Sequence, residues 1–300
     1  MFRSSILSIL FGALQVTAQT CQLQFDGRVP SNFTSDQFDV ENGLFNPGFV
    51  KGKGLKFSEL LEITDQTTLF DVNSVPVYLT INDSSIFAPS ETNVQKGFRR
   101  AELLPASNNG SDPSTTGIKT LHFSLAKDPA RPLNFSHEYQ LVFLESADYS
   151  TNQFVLKTGT ILGGNISEPD SLQVYGNVNK GAPLLFQAPF SESVIHNFGL
   201  KLDFNALTTQ VYYSQDDEPL KQVTKATSND VSGQGQFHFG ILKKPTGPAE
   251  DITREGYQPS GIEEAILYGG IFEEDSADGC ISLSPGPPAN ARLTKSIKRK

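Results

Sequence analysis

The 300-residue chain contains no tryptophan, although it has 22 phenylalanines and eight tyrosines. Indole is a favoured flat surface for stacking ligands, so a ligand that stacks must rest here on tyrosine or phenylalanine. Long apolar runs are missing too, which excludes a membrane-spanning helix in the body of the chain. With 37% hydrophobic and 19% charged residues, the composition also excludes a disordered polyelectrolyte.

Basic residues are scarce outside the two ends of the chain. The net charge is −9, and without the six basic residues of the ends the body carries 18 basic against 33 acidic residues, a charge of −15. An acidic body repels phosphate backbones and anionic headgroups, so neither nucleic acid nor a membrane surface is an expected partner. The basic tail after residue 291 is interpreted as a solvated end.

The N-terminus has the pattern of a secretory signal peptide over residues 1–18. Arg3 precedes a short apolar run from Ile6 to Val16, and small residues follow at Thr17 and Ala18. Export agrees with five N-x-S/T sequons, which mark possible surface glycosylation sites. They begin at Asn32, Asn82, Asn109, Asn134 and Asn165. The protein is therefore expected to be secreted, as a monomer.

Only two cysteines are present, Cys21 and Cys280, near the two ends of the expected domain. In an oxidising compartment such a pair is expected to form a disulfide. A metal site built on two cysteines so far apart, without a nearby histidine, is disfavoured.

Short β-rich segments separated by turn residues recur along the chain, and a helix is suggested only near Phe57–Ile63. The pattern predicts an all-β fold, an antiparallel two-sheet β-jelly-roll sandwich spanning residues 19–282. Residues 283–300, rich in Pro and Gly and then basic, are expected to form a tail. The predicted strands are Val77–Ile81, Lys119–Ser124, Glu138–Leu144, Gln153–Thr158, Ser171–Tyr175, Phe198–Phe204, Thr209–Ser214, Gln236–Leu242 and Glu264–Phe272, and Leu220–Thr224 is expected to form a hairpin with Thr209–Ser214.

Nucleotide, metal and serine-nucleophile motifs are not found in the sequence. No cofactor or metal is therefore expected. Candidate chemistry lies instead on three strand-like segments: GFRRAELLP (97–105), HEYQLVFLESAD (137–148) and GQFHFGILKKP (235–245).

Alternation along these segments sorts their side chains onto two faces. In the first, Arg100 and Glu102 share a face, opposite Ala101 and Leu103. In the second, Glu138 and Gln140 share a face, and Tyr139, Leu141 and Phe143 are expected on the other. In the third, Gln236, His238 and Gly240 face away from Phe237, Phe239 and Ile241.

A pair of carboxyl groups on such faces suits glycoside hydrolysis, which needs one protonated group and one ionised group. Glu102 with either Glu138 or Glu145 supplies the pair, and the arginines beside Glu102 favour it as the ionised member. Each of these residues can also have a purely structural role: Glu102 in an ion pair, Glu138 at a solvated sheet edge and His238 as a half-buried histidine.

Several stretches, taken in order, resemble glycoside hydrolase family 131 of fungi. The resemblance runs from Cys21 to about Cys280 and implies a jelly-roll β-glucanase that acts on β-1,3, β-1,4 or β-1,6 linkages with paired glutamates. The stretches are CQLQFDGRVP, FNPGFVKGKGLKFSELL, FRRAELLP, HEYQLVFLESADYSTNQFVLKTGT, VIHNFGLKLDF, GQFHFGILKKP and GIEEAILYGGIFEED.

The resemblance implies roles for the glutamates, His238 and Arg99, and the strand faces supply the other candidates. Glu102 is transferred as catalytic, with a partner between Glu138 and Glu145, and His238 is expected to act beside them. The expected substrate-binding residues are Arg99, Gln140, Gln236, Lys243, Tyr149 and Tyr212. Without tryptophan, stacking on sugar rings is expected from Tyr149, Tyr175, Tyr212, Tyr213 or Tyr257.

Two other functions fit the same pattern. A polysaccharide lyase would use His238, a tyrosine and a basic residue to remove a proton beside a uronate carboxylate. A non-catalytic glucan-binding wall protein would bind without turnover.

Overall fold

The computed structural model describes residues 20–106, 108, 113–164 and 168–285. The expected signal peptide, the tail beyond residue 285, and the sequons at Asn109 and Asn165 lie outside these residues. Asn32 and Asn134 are exposed and Asn82 is half-buried. No helix in the described ranges is long and apolar enough to cross a membrane.

Strands dominate the described chain, and every segment predicted as a strand forms one. The one α-helix, α1 (Phe57–Leu60), is a single turn. Short 3-10 helices cover Ser35–Asp39, Pro113–Thr115 and Val178–Lys180. In chain order the strands are β1 (Leu23–Asp26), β2 (Val29–Pro30), β3 (Leu61–Ile63), β4 (Ser74–Val75), β5 (Val77–Asn82), β6 (Arg99–Leu103), β7 (Ile118–Lys127), β8 (Glu138–Glu145), β9 (Asn152–Gly159), β10 (Ser171–Gly176), β11 (Leu184–Pro189), β12 (His196–Asp203), β13 (Thr208–Gln215), β14 (Lys221–Gln222), β15 (Thr227–Ser228), β16 (Gln236–Lys243) and β17 (Glu263–Asp275).

Two antiparallel sheets form a sandwich, which confirms the predicted jelly-roll class. The nine-stranded sheet has the order β14-β13-β12-β7-β17-β5-β3, with β1 beside β17 and β15 beside β13. The six-stranded sheet has the order β11-β10-β9-β8-β16-β6. A small third sheet pairs β2 with β4. The predicted hairpin is present, because Tyr213 of β13 pairs with Lys221 of β14.

The predicted helix over Phe57–Ile63 is only half right. Its first four residues form α1, and then the chain turns into β3, where Leu61 and Ile63 pair with Leu79 and Val77. Pairing with β5 satisfies the backbone and places Leu61 in the core, so tertiary contacts outweigh the local helical pattern.

The core lies between the two sheets and explains the alternation along their strands. From the nine-stranded sheet it takes Leu79, Leu121, Phe123, Phe198 and Leu200, and from the six-stranded sheet Leu103, Leu144, Phe154, Leu172, Phe237 and Phe239. The opposite side chains of the six-stranded sheet point away from this core. We call this surface the outer face; it carries Glu102, Glu138, Lys157, Tyr175 and His238.

Cys21 and Cys280 form the predicted disulfide, with their Cα atoms 5.8 Å apart. Ser282, two residues beyond it, donates a hydrogen bond to Glu274 of β17 and accepts one from the backbone N–H of Thr20. Both ends of the described chain are thereby fastened to the same strand. Closing a loop this long removes about 4–5 kcal/mol of conformational freedom from the unfolded chain.

Candidate active site

Three neighbouring strands of the six-stranded sheet, β6, β16 and β8, bring the central groups together on the outer face. Pairing of β6 with β16 sets Glu102 opposite Gly240, and pairing of β16 with β8 sets Gln236 opposite Glu145. A Cβ atom at position 240 would lie 2.2 Å from the Ala101 carbonyl oxygen and 2.7 Å from Glu102 Cγ. The absence of a side chain there lets the Glu102 side chain lie flat over β16.

Glu102 is fully buried and held by Arg100 through a two-pronged ion pair. The Arg100 Nε atom donates to Glu102 Oε1 at 2.7 Å, and Nη2 donates to Oε2 at 2.8 Å. This planar geometry is the strong form of an arginine–carboxylate contact. Arg100 is one of the two arginines expected to keep Glu102 ionised, and it makes this contact, whereas Arg99 is the one predicted to bind substrate.

His238 links Glu102 to Glu145. Its Nδ1 atom lies 2.8 Å from Glu102 Oε2, and its Nε2 atom lies 3.4 Å from Glu145 Oε2. The Nε2 contact is within ion-pair range but does not have hydrogen-bond geometry, and Nε2 has no other partner among the described residues. The side chain of Glu145 is 28% exposed and that of Glu102 is 0% exposed, so a ligand on the outer face reaches Glu145 first.

Glu102 and His238 favour each other's ionised form. Burial by itself raises the pKa of Glu102, but Arg100 and His238 outweigh it and bring this pKa below the ordinary value. Burial lowers the pKa of His238, but hydrogen bonding and the charges of Glu102 and Glu145 outweigh it and bring this pKa above the ordinary value. Glu102 is thus an ionised carboxylate. It lies beside Arg100 and beside His238, whose imidazole is held towards its protonated, positively charged form.

A β-bulge places Phe143 on the outer face, where alternation had predicted the opposite face. The register of β8 against β16 shifts between Phe239 and Leu242, and against β9 it shifts between Gln140 and Val142. Phe143 then stacks on His238, with the ring centroids 4.4 Å apart and the planes at 13°. The prediction for Phe143 was wrong because one extra residue reverses the faces of a strand beyond it.

The carbonyl groups around this bulge are satisfied from within the core. The Tyr268 hydroxyl of β17 donates towards two oxygens, 2.7 Å from the Gly240 carbonyl and 3.0 Å from the Leu141 carbonyl. The contact keeps buried carbonyls paired where the ladder between β8 and β16 is broken. Tyr268, from the other sheet, therefore stabilises the bulge that places Phe143 against the His238 ring.

Glu138 lies on the outer face but outside this cluster. Its Oε1 atom is 2.9 Å from Lys157 Nζ and 2.7 Å from Lys244 Nζ, and Oε2 accepts from the backbone N–H of Leu162. Burial raises the pKa of Glu138, but the two lysines outweigh it and lower this pKa. Of the two possible partners for Glu102, only Glu145 shares His238 with it.

The structure separates the expected substrate-binding residues into two groups. Gln236 donates to the Asn108 carbonyl beside Glu145, and Gln140 accepts from Asn152, so both line the outer face near the cluster. Tyr149 is 75% exposed in the turn after β8. Arg99 donates to the backbone carbonyls of Lys96 and Phe98 and does not contact Glu102.

Two expected binding residues lie away from the outer face. Lys243 is fully buried between the sheets, where its Nζ pairs with Glu264 of β17 at 2.5 Å. Tyr212 packs with the Phe70 and Phe272 cluster on the nine-stranded sheet. Alternation along β16 puts Lys243 on the same side as Phe239 and Ile241, so it points into the core. Strand alternation by itself does not tell to which sheet Tyr212 belongs.

The charges of Glu102 and His238 are expected to stabilise the fold only within a limited range of pH. The pKa of Glu102 is lowered, so its contribution is present above 4.5 and is lost as the pH falls further. The pKa of His238 is raised, so its contribution is complete below 6.5 and is lost as the pH rises above that value. The stabilisation is therefore expected to be greatest between these two values, at about 1.5–3 kcal/mol.

Urea unfolding of the wild type and of His238→Gln, measured from pH 3 to 9, checks this window. The difference between the two free energies of unfolding is expected to peak in mildly acid solution. His137 and His196, whose pKa values burial lowers, are present in both proteins and cancel in the difference. A difference that stays constant over the whole range would contradict the charged arrangement.

An antiparallel two-sheet sandwich with carboxylates joined through a histidine on one sheet face has the architecture of a β-sandwich glycoside hydrolase. The family model for the glycoside hydrolase 131 catalytic N-terminal domain matches residues 23–279. The chain belongs to glycoside hydrolase family 131 and is an enzyme of that class.

Solved structures of the same family are similar in fold. The catalytic domain of a family 131 β-glucanase from Podospora anserina has a TM-score of 0.68 at 20% identity, covering 88% of this chain and 98% of that one. The family 131 catalytic domain from Coprinopsis cinerea has a TM-score of 0.66 at 22% identity, covering 89% of this chain and 99% of that one. None of the curated proteins compared with the chain matches it.

Proposed function

We propose that the protein is a secreted β-glucanase that hydrolyses β-1,3, β-1,4 or β-1,6-glucosidic bonds with Glu102 and Glu145, linked through His238. The observation that carries the proposal is the position of His238 between the two carboxylates, at 2.8 and 3.4 Å. The similar β-glucanase from Podospora anserina supports a β-glucan as the substrate. The signal-like N-terminus supports secretion.

The two carboxyl groups have different surroundings and therefore different roles. Glu102 accepts three hydrogen bonds, two from Arg100 and one from His238, which keep it ionised. Glu145 is the exposed member, so it donates a proton to the departing glycosidic oxygen. A water molecule then adds its oxygen to the anomeric carbon and returns a proton to Glu145. His238 faces Glu145 with Nε2, so it stabilises the Glu145 carboxylate that forms when the proton leaves.

Glu138 is left out of this mechanism because its charge is already engaged. Two lysines contact one of its oxygens, and the backbone of Leu162 occupies the other. A carboxylate so paired is poorly suited to exchanging protons with a substrate, since removing its charge would leave two ammonium groups uncompensated.

Reducing-sugar release from laminarin, lichenan and a β-1,6-glucan tests the function. At least one glucan is expected to be hydrolysed, and NMR of the first product gives the anomeric configuration. An absorbing unsaturated product from alginate or glucuronan, with no hydrolysis of neutral glucans, would show a lyase instead. Binding of glucan without any product would show a non-catalytic protein.

A further inference from the structure

A second cluster of charges lies on the outer face, at the far end of β8 from Glu145. Glu138 begins this strand and Glu145 ends it, seven residues later, a distance of about 23 Å along an extended chain. The cluster consists of Glu138, Lys157 of β9 and Lys244, which follows β16. We call it the Glu138–lysine cluster.

The Glu138–lysine cluster has one positive charge more than it has negative charges. Both ammonium groups approach the same oxygen, Glu138 Oε1, so the two nitrogens are close together. Each ammonium group has three N–H donors, and among the described residues Glu138 is the only one that forms an ion pair with either. Its Oε1 atom lies at ion-pair distance from both nitrogens, without hydrogen-bond geometry. His137, whose pKa burial lowers, adds no positive charge at neutral pH.

An uncompensated charge at this position is costly, because both lysines are largely removed from water. Their side chains are 12% and 16% exposed, and that of Glu138 is 1% exposed. Burial lowers the pKa of Lys157; Glu138 opposes this, and Lys244 adds to it. A small anion that accepts the unused N–H donors would balance the charge and relieve this cost.

An aromatic ring next to the Glu138–lysine cluster indicates that the ligand also has a flat face. Tyr175 of β10 lies on the same face, with Lys157 Nζ 5.4 Å from its ring centroid, and it is half-buried. An aromatic ring beside ammonium groups suits a sugar ring that carries a carboxylate, with the ring on the tyrosine and the carboxylate on the lysines. Gln140, which pairs with Lys157 across β8 and β9, continues the outer face from here towards Glu145.

We propose that the Glu138–lysine cluster and Tyr175 form a subsite for a carboxylate-bearing sugar unit of a glucan chain whose cleaved bond lies at Glu145. The proposal rests on the proposed function, since it places both sites on one bound chain. Two sources supply the same chemistry: a uronic acid unit within the chain and an aldonic acid at its end. In a body of charge −15, this subsite provides a local attraction for an acidic substrate that the rest of the surface repels.

Isothermal titration of the Glu145→Gln protein tests the subsite without turnover. The probes are a neutral β-glucan hexasaccharide, the same hexasaccharide oxidised to its aldonic acid, and one oxidised at C6 to contain glucuronic acid. One carboxylated form is expected to bind about tenfold more tightly than the neutral form, and 0.5 M NaCl is expected to remove most of the difference. The form that gains affinity identifies the source.

Lysine variants show whether the cluster causes the preference. Lys157→Met and Lys244→Met each leave Glu138 paired with one lysine, so both proteins are expected to fold. Each is expected to reduce the preference to twofold or less while leaving affinity for the neutral form unchanged. Lys225→Met, at an exposed position, is the matched control.

Equal affinity for neutral and carboxylated hexasaccharides, or a preference that survives both lysine variants, would overturn the subsite. Failure of the proposed function has a different signature, namely no hydrolysis of any neutral glucan by the wild type. Titration of glucuronate alone into the wild type and Lys157→Met, followed by NMR, decides the subsite in that case. Chemical shifts that respond to glucuronate in the wild type alone support it, and identical responses overturn it.

Discussion

Glu145→Gln is expected to lower kcat on a hydrolysed glucan by about 10²–10⁴-fold while leaving the fold intact. The substitution keeps the shape of the side chain but removes the proton that the leaving oxygen needs. Because Glu145 is partly exposed and its 3.4 Å contact with His238 Nε2 lacks hydrogen-bond geometry, stability is expected to change little. Initial rates of reducing-sugar release, with urea unfolding in parallel, measure both effects.

The matched control is Glu138→Gln, on the same strand and the same face. It is expected to keep kcat on neutral glucan within about fivefold, but to lower the free energy of unfolding, because two partly buried lysines lose their counter-charge. The two variants thus separate catalysis from stability. Full activity in Glu145→Gln together with inactivity in Glu138→Gln would reverse the assignment.

Arg100→Leu is expected to have the largest effect on stability, a loss of about 3–5 kcal/mol. Arg100 provides both prongs of the ion pair with Glu102, and the two side chains are 10% and 0% exposed. Removing it leaves a fully buried carboxylate with His238 as its main counter-charge. The pKa of Glu102 is then expected to rise, so activity should also fall.

Arg99→Leu, one residue earlier, is the control. Within the described residues Arg99 donates hydrogen bonds only to the backbone carbonyls of Lys96 and Phe98, so its loss is expected to cost about 1 kcal/mol. If Arg100→Leu does not fold, Arg100→Lys keeps the positive charge but loses the two-pronged geometry, and an intermediate loss is expected. Denaturation by urea at pH 5.5 measures the series. Equal losses at positions 99 and 100 would contradict the role of the Arg100–Glu102 pair.

Most of the strand pattern could be predicted because it is a local property. Every segment read as a strand is one, since β-branched and aromatic residues alternate with polar ones over a fixed repeat of two. Alternation also placed Phe237, Phe239 and Ile241 correctly in the core. It also groups Arg100 with Glu102 on one face, as the structure has them.

The failures concern information that is not local. The bulge that turns Phe143 outward has no signal in the residues around it, and it is stabilised by Tyr268 from a strand more than 120 residues away in sequence. Lys243 finds Glu264 across the core, and Tyr212 belongs to the other sheet. Each of these depends on which strands become neighbours, which a single strand does not encode.

The missing tryptophans now restrict stacking to a few positions. Tyr213 packs against Phe186 and Phe198, which leaves it unsuited to stacking on sugars. Tyr175 lies on the outer face, and Tyr149 follows Glu145 in the chain. Tyr257 is 63% exposed. Stacking on sugar rings is therefore expected from Tyr149, Tyr175 or Tyr257.

The disulfide between Cys21 and Cys280 makes a covalent ring of the chain between them, with a sequence separation of 259 residues. A protease that cuts an exposed turn of this ring, such as the one at Tyr149, opens it without producing two molecules. The pieces stay joined through the disulfide and through the pairing of β8 with β9 on either side of the cut. Such a nicked protein would migrate as a single species until a reductant separated its halves.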